Sequence, residues 1–363
     1  MISTKNSNVV DVFLKIVQVD SPTGYEQNMS ILVKRFLEKT GLKVVIDKNG
    51  NVVAFLEGNK NAEPYMLNAH LDTVEPGRGI RPKIVNGWIK SSGNTILGAD
   101  NKAGVAAILE AVRKMVLVDP QKRHPLEIVF TTSEESGNYG ASGLDYSKIK
   151  SKLGYSFDIS SVNFGDIMIS APFYNRFDVE IIGKSGHAKD PENGLSILPI
   201  FAKAITKLKL GRLSENTLAN IGIVKIGQAV NSIPGNAIIA GEVRSTLESE
   251  LEEVTKEIIK TFKDRAIKSG AKLKAKITRE NGGYKYDKKD EFVQKTVKVV
   301  KSFGLKPKLI DSFGCADANI FAEHNIKMLC IADGSTGAHT VNETIKVSDL
   351  EKLVGLIYRL VTD

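Results

Sequence analysis

The chain has 363 residues, of which 42% are hydrophobic and 25% are charged, the composition of an ordinary globular protein. This length is more than one hydrophobic core usually organises, so we predict two domains. The net charge of +8 comes from scattered lysines mixed with acidic residues, and no basic cluster interleaved with aromatic side chains supports a nucleic-acid partner.

The cysteines and the apolar segments indicate the cellular compartment. Cys315 and Cys330 do not form a Cys-x-x-Cys pair, so we predict two reduced residues rather than a disulfide or a metal site. The first residues lack the apolar core of a signal peptide, and no apolar run approaches the length of a membrane span. We therefore expect a cytoplasmic protein with no membrane partner.

The N-terminal part of the chain alternates helical and strand-like patterns. Apolar residues at helical spacing predict helices over 9–17 and 29–37. Strands are predicted over 44–47, 52–56 and 65–70, the last of them a short buried run.

A histidine and an aspartate, His70 and Asp72, lie at the end of the third strand. Two residues apart on an extended segment, they point to the same side, and a histidine held by a carboxylate is a common metal ligand. A polar loop explains the same pair, so this motif alone leaves both interpretations open.

Further acidic residues occupy comparable positions downstream. Asp100 precedes an apolar helix over 105–118, where it fits a helix N-cap and also the edge at which α/β proteins place their sites. Glu134 and Glu135 follow a continuous apolar strand over 126–130 after three polar residues, and exposed loop acids are the alternative interpretation.

From Pro172 the pattern changes to strands and amphipathic helices in the order β-α-β-β-α-β. This order is typical of a self-contained ferredoxin-like unit, so we predict that 172–282 is an inserted domain. The segments 1–171 and 283–363 then form the other domain.

Five residues from separate segments suggest a metal centre. Four of them directly follow apolar, strand-like runs and one opens a helix, so an open α/β sheet would gather them in one crevice. Two histidines and three carboxylates suit two zinc ions, or cobalt or manganese, with one carboxylate shared between the ions. The five are His70, Asp100, Glu135, Asp158 and His339.

Six stretches spread over the chain resemble the dimetal metallopeptidase family of peptidase T, carboxypeptidase G, the aminoacylases and succinyl-diaminopimelate desuccinylase. The stretches are NAHLDTV (68–74), LGADNKAG (97–104), TTSEESG (131–137), SFD (156–158), GKSGHA (183–188) and GAHTVNE (337–343). Each is weak alone, but the combination is specific, and the second and last are most similar to the peptidase T-like branch. The resemblance implies a zinc-peptidase-like α/β/α catalytic domain and an inserted ferredoxin-like lid or dimerisation domain.

The resemblance also implies how the metal ligands are shared. Asp100 would bridge two divalent ions, with His70 and Asp158 completing one site and Glu135 and His339 the other.

Two neighbouring acids would serve the chemistry. Asp72 would orient the His70 ring rather than bind metal. Glu134 would be the general base that takes a proton from the metal-bridging water and later delivers it to the leaving amine.

Three residues of the inserted domain match family positions near the substrate. His187 would stabilise the tetrahedral oxyanion, and in dimeric members of the family this histidine reaches across from the partner subunit. Asn231 and Arg244 would hold substrate, and arginine is suited to gripping a carboxylate. A simple surface histidine and a surface ion-pair partner are the alternatives for His187 and Arg244.

Three positions depart from the family pattern, although none removes a ligand. Asn101 stands where a second aspartate is usual, and this change would act on the surroundings of the metals. Val341 replaces a proline, and Cys315 lies in a loop where smaller residues are preferred and would alter the floor of the substrate pocket.

Together these inferences predict a two-metal aminopeptidase for short peptides, most of all tripeptides, with homodimerisation through the inserted domain as a family expectation. An N-acyl-amino-acid amidohydrolase or a dipeptidase of the same family would use the same chemistry, because no residue pattern labels the specificity pocket. A non-catalytic binding protein on this fold is the alternative from another class, but it should have lost ligands or the base.

Overall fold

The computed structural model describes residues 8–160 and 162–362. Within these residues the chain forms nine α-helices, numbered here in chain order. They are α1 (Val9–Ile16), α2 (Gln27–Glu38), α3 (Ala99–Met115), α4 (Tyr139–Ser142), α5 (Leu198–Ile205), α6 (Glu248–Lys268), α7 (Glu291–Ser302), α8 (Asp317–Glu323) and α9 (Val347–Thr362).

The same described residues form nineteen β-strands. They are β1 (Val44–Ile46), β2 (Val52–Leu56), β3 (Tyr65–His70), β4 (Pro82–Val85), β5 (Trp88–Ser91), β6 (Leu126–Thr131), β7 (Leu153–Ile159), β8 (Ile167–Ala171), β9 (Phe173–Ile182), β10 (Gly186–His187), β11 (Gly211–Arg212), β12 (Thr217–Ile226), β13 (Ser232–Ile233), β14 (Asn236–Ser245), β15 (Lys272–Asn281), β16 (Tyr284–Lys285), β17 (Leu309–Asp311), β18 (Lys327–Ala332) and β19 (Thr344–Lys346).

The chain divides into two compact units. The first comprises the described residues up to Ile169, Tyr286–Ser312 and those from Ala316 onward, and the second comprises Ser170–Lys285 with Phe313–Cys315. At the two main boundaries these units differ from the predicted segments by two or three residues.

The first unit is built on a mixed β-sheet. Strands β6, β3, β7 and β18 are adjacent in that order and parallel. Antiparallel β2 and β1 extend one side, and antiparallel β8 pairs with β18 on the other. All residues of β3 and β6 are buried, which explains their nearly continuous apolar sequences, because a parallel sheet is covered on both faces. The four parallel strands end at one edge of the sheet.

Helix α3 packs closely against two of the strands that form that edge. It packs against β3 and β7 and against helices α1 and α9. Gly104 permits the close approach, because a Cβ atom there would lie 3.0 Å from the Phe157 carbonyl oxygen and 3.2 Å from the Ala69 Cβ. A larger residue would push the start of the helix away from the two strands.

The second unit contains a five-stranded antiparallel sheet in the order β11-β12-β14-β9-β15, with α5 and α6 packed together. Its main elements β9, α5, β12, β14, α6 and β15 follow the predicted β-α-β-β-α-β order. Helix α6 buries one stripe at spacings of three and four residues, as an amphipathic helix should: Leu251, Thr255, Ile258, Phe262 and Ala266.

The predicted α/β fold class is confirmed by the mixed sheet and its helices. Among the helices of the described residues, none combines the length and the apolar character needed to cross a membrane. The lid or dimerisation role of the second unit stays a prediction.

Candidate metal centre

The four parallel strands end beside polar residues from distant parts of the chain. His70 is the last residue of β3, and Asp158 is the last but one of β7. Glu134 and Glu135 follow β6, and His339 follows β18. The carboxyl ends of parallel strands meet at one edge, so the structure brings these residues into one crevice of the first unit.

Two clusters of nitrogen and oxygen atoms form in this crevice, and they share Asp100. The His70 Nε2 lies 3.2 Å from Asp100 Oδ1 and 3.4 Å from Asp158 Oδ1. The His339 Nε2 lies 2.8 Å from Glu135 Oε1 and 3.7 Å from Asp100 Oδ2. Each oxygen of Asp100 therefore faces a different histidine. Within each cluster, one donor atom from each residue lies within 4.8 Å of the others.

The N-cap interpretation of Asp100 is wrong. The chain is kinked at the start of α3, where Asp100 (φ −78°, ψ 105°) and Asn101 (φ −116°, ψ 27°) have non-helical backbone. The Asp100 carboxylate instead contacts His70 and faces His339.

The electrostatics of the crevice fit bound cations. Burial raises the pKa of Asp158 to about 6, with His70 opposing the rise and the charge of Asp100 adding to it. Burial also raises the pKa of Glu134 well above its usual range. Divalent ions would relieve this cost, and imidazole and carboxylate donors suit zinc, cobalt or manganese. The residues present therefore fit two ions sharing Asp100, while metal binding by each residue stays a prediction.

Glu134 lies close enough to join a third cluster. A donor oxygen of Glu134 is within 4.8 Å of donor atoms of both His70 and Glu135. Glu134 therefore lies where either a base or a ligand would lie, and the metal content of a Glu134 variant distinguishes the two roles.

Asp72 connects the end of β3 to the loop that follows β6. The His70 Nδ1 lies 3.0 Å from the Asp72 carbonyl oxygen and 3.4 Å from its carboxylate. That carboxylate accepts the backbone N–H groups of Glu134 (3.0 Å) and Glu135 (3.2 Å) and the Thr23 hydroxyl (2.7 Å). Burial opposes ionisation of Asp72, but the contacts with His70 and Thr23 lower its pKa. The proximity to His70 was expected, whereas the contacts with the loop were not.

Glu26 completes the support of this loop. Its Oε1 accepts the backbone N–H (3.0 Å) and the hydroxyl (3.1 Å) of Ser133. Ser133 has a positive φ of 53°, a conformation that a residue with a side chain keeps only when its surroundings hold it. The turn directs the next two N–H groups at Asp72.

Glu343 plays the corresponding part for Asp100. Its carboxylate accepts the backbone N–H groups of Leu97 (2.8 Å), Gly98 (2.6 Å) and Asp100 (2.9 Å). Burial raises the pKa of Glu343 to about 7, although these hydrogen bonds oppose the rise. In the sequence, Glu343 was marked only by its place in the GAHTVNE motif, and no role was predicted for it.

Sequence reasoning also missed Asn138 and Asp317. Both side chains are buried beside Glu134, and the Asn138 amide contacts both carboxylates. Asp317 opens α8, directly after the loop that was noted only for Cys315.

The three predicted substrate-side residues lie in the second unit. Strand β10 pairs His187 with Ser232, and the Ala188 N–H donates to the carbonyl oxygen of Asn231 (3.0 Å), so His187 and Asn231 lie on adjacent segments. Arg244 donates to Glu242 (3.0 Å) and to the carbonyl oxygen of Phe313 (3.0 Å). The ion-pair interpretation of Arg244 thus describes a contact that is present, and substrate binding by these residues stays a prediction.

The departures from the family pattern have different settings. The side-chain N and O of Asn101 are buried, with no hydrogen-bond partner among the described residues. Val341 is exposed, and the Cys315 Sγ lies 3.9 Å from the carbonyl oxygen of Pro172.

Comparisons with known proteins agree with the resemblance. A sequence profile of peptidase family M20/M25/M40 matches residues 66–363. An uncharacterised Bacillus subtilis protein, YqjE, is 34% identical over 365 residues that cover 98% of both chains.

Two solved structures are similar over nearly the whole chain. Aminopeptidase PepT from Bacillus cereus has a TM-score of 0.92 and 33% identity, covering 99% of this chain and 98% of its own. A tripeptidase from Staphylococcus aureus also has a TM-score of 0.92, with 30% identity, covering 100% of this chain and 98% of its own.

Removing a histidine should empty one side of the centre. His70→Ala and His339→Ala are each expected to lower bound metal from about two ions per chain to about one, because each removes the only nitrogen donor of its cluster. Inductively coupled plasma mass spectrometry after dialysis measures the content. His124→Ala is the control, since that imidazole contacts the Glu63 carbonyl oxygen and the Tyr65 ring. Retention of both ions by the two variants would refute the assignment.

Proposed function

The chain belongs to peptidase family M20/M25/M40 and is a peptide hydrolase, and from this premise we propose a two-metal aminopeptidase that removes the first residue of short peptides, above all tripeptides. One observation carries the proposal: the two donor clusters share Asp100 and lie beside Glu134. Two relatives similar over nearly the full length are an aminopeptidase and a tripeptidase, and this supports the substrate class. Zinc is the proposed metal, with cobalt and manganese as alternatives.

Two divalent ions would supply Lewis acidity and lower the pKa of water in the crevice. Glu134 takes a proton from the attacking water and delivers it to the nitrogen of the leaving amine as the peptide bond breaks. The Asp72 carboxylate accepts the backbone N–H of Glu134 and so holds the loop that carries the base. The base is therefore positioned before substrate arrives.

His187 is proposed to donate a hydrogen bond to the oxyanion. Its Nδ1 accepts the backbone N–H of Lys189 (3.2 Å), which leaves Nε2 as the protonated nitrogen of the neutral ring. His187 is an exposed residue, and an Nε2–H is the kind of donor that such an intermediate needs. By analogy with dimeric family members, we propose a homodimer through the second unit in which His187 serves the site of the partner subunit.

Asn231 and Arg244 are proposed to hold the substrate. A guanidinium binds a peptide carboxylate through two parallel hydrogen bonds. Glu242 already accepts from Arg244, so a substrate carboxylate would compete with it for the same N–H groups.

A panel of substrates tests the proposed class. Free tripeptides should have the highest kcat/KM. N-acetylation of the same tripeptide should lower kcat/KM by about 100-fold or more, because the protein groups that bind a free α-amino group would be left unpaired. Amine release is measured with added zinc, cobalt or manganese. Faster turnover of N-acyl amino acids would favour the amidohydrolase, faster turnover of dipeptides would favour the dipeptidase, and no turnover of any of them would refute the proposal.

Glu134→Gln separates the base from a ligand. The variant should keep its metal and lose about 10²- to 10⁴-fold in kcat, because the amide cannot take the proton. Turnover and metal content are measured together, with Glu63→Gln, an exposed site, as the control. A near-normal rate would contradict the assigned role, and loss of one ion would show that Glu134 is a ligand.

His187→Ala should lower kcat by about 10²- to 10³-fold at unchanged metal content, through loss of an oxyanion donor. If sites are shared between subunits, mixing this variant with Glu134→Gln should restore part of the activity. Unchanged kcat would show that His187 has no role in the reaction. Absence of complementation would show that His187 acts at the metal centre of its own chain.

A further inference from the structure

Asn138 has an unusual setting for a residue next to a helix. It precedes α4 with a left-handed backbone (φ 58°, ψ 31°), and its side chain makes no capping hydrogen bond to that helix. The side chain is 2% exposed. Its Nδ2 donates instead to Glu134 Oε1 (3.0 Å) and to Asp317 Oδ1 (3.2 Å).

The orientation of this amide is determined by its neighbours. An asparagine NH2 group has two donors and no acceptor, and here each donor faces a carboxylate. A flipped amide would place its own oxygen against both negative groups. The amide therefore supplies one hydrogen bond to each carboxylate and separates their charges.

Asp317 anchors the other end of the link. It is 1% exposed and opens α8, and its Oδ2 accepts the hydroxyl of Thr131, the last residue of β6. The chain of contacts runs from Thr131 through Asp317 and Asn138 to Glu134. A strand end and a helix start thereby hold the side chain of the proposed base.

We propose that Asn138 is a positioning residue that binds Oε1 of Glu134, so that Oε2 is the oxygen that accepts the proton and later returns it to the leaving amine. The inference rests on the proposed function, since it needs Glu134 to act as the base. It adds to that function Asn138, which leaves Oε2 of Glu134 free to accept the proton, and Asp317, which holds Asn138 in place.

Loss of the amide frees the carboxylate to rotate near other negative groups. A general base is effective only within hydrogen-bond reach of its proton, and misplacement by about 1 Å can cost on the order of 100-fold in rate. In the proposed mechanism, substrate binding and metal ligation use atoms other than those of Asn138. The expected signature is therefore a fall in kcat at nearly constant KM.

Asn138→Gly tests this with little backbone strain, because glycine adopts a positive φ readily. We expect kcat to fall about 10- to 100-fold, with KM within about twofold. Metal content should stay near wild type, whereas the thermal unfolding temperature of the chelator-treated protein reports separately what the loss of the buried amide costs in stability. Asn138→Asp should lose at least as much kcat, because it sets a third carboxylate between the other two. Asn325→Gly is the matched control, since Asn325 is exposed and has a φ of 60°.

The outcomes separate this inference from the proposed function. Wild-type kcat in Asn138→Gly, with active wild type and control, overturns the inference alone. A lower unfolding temperature with unchanged kcat shows a structural role only and also overturns it. If Asn138→Gly fails to fold, Asp317→Ala, which removes the carboxylate that accepts from Asn138 Nδ2, must show the same selective fall in kcat. A wild-type protein that hydrolyses no peptide overturns both.

Discussion

The carboxylate of Asp72 is the interaction on which the site depends. It lies beside the His70 ring and accepts the backbone N–H groups of Glu134 and Glu135, so one buried side chain is common to a histidine and to both glutamates. A carboxylate without solvent is tolerated only when hydrogen bonds satisfy its oxygens. The same requirement that keeps Asp72 ionised thereby fixes the geometry of two strand ends. It follows that Asp72 does more than orient an imidazole ring.

Negative charge is the second constraint, and the chain handles it in two ways. Where a carboxylate supports the backbone, N–H donors satisfy it, as Leu97, Gly98 and Asp100 do for Glu343. Where carboxylates face the crevice, their partners are two histidines, whose charge is insufficient for Asp100, Glu135 and Asp158 together. The distinction separates acids that are satisfied by backbone N–H groups from acids that the predicted cations would neutralise.

Local patterns predicted the strands and the polar residues at their ends, because an apolar run with His70 at its end, or with Glu135 a few residues beyond it, is visible in the sequence. They did not distinguish a helix cap from a ligand at Asp100, since both require an acid at the start of a helix. Contacts between side chains and remote backbone N–H groups had no local signal at all. Glu343 illustrates this, because its partner Asp100 lies 243 positions away. Asn138 was missed for a similar reason, since its left-handed backbone and its two carboxylate partners exist only after folding.

The place of Glu343 in the chain has a consequence for biosynthesis. Asp100 is made early, but the carboxylate that orders its loop is made only after the whole of Ser170–Lys285 has been translated. His339 arrives at the same late stage. Loop closure over such a separation adds only a few kcal/mol, since the entropic cost grows with the logarithm of length. Strand β18, which lies between β7 and β8 in the sheet, ends at Ala332, so the sheet is completed only shortly before His339 is made. A nascent chain that ends before residue 339 carries neither the second histidine nor the clamp on the shared aspartate. We therefore expect hydrolytic competence to be a late event in the synthesis of this enzyme, reached together with the last strand and helix of its core.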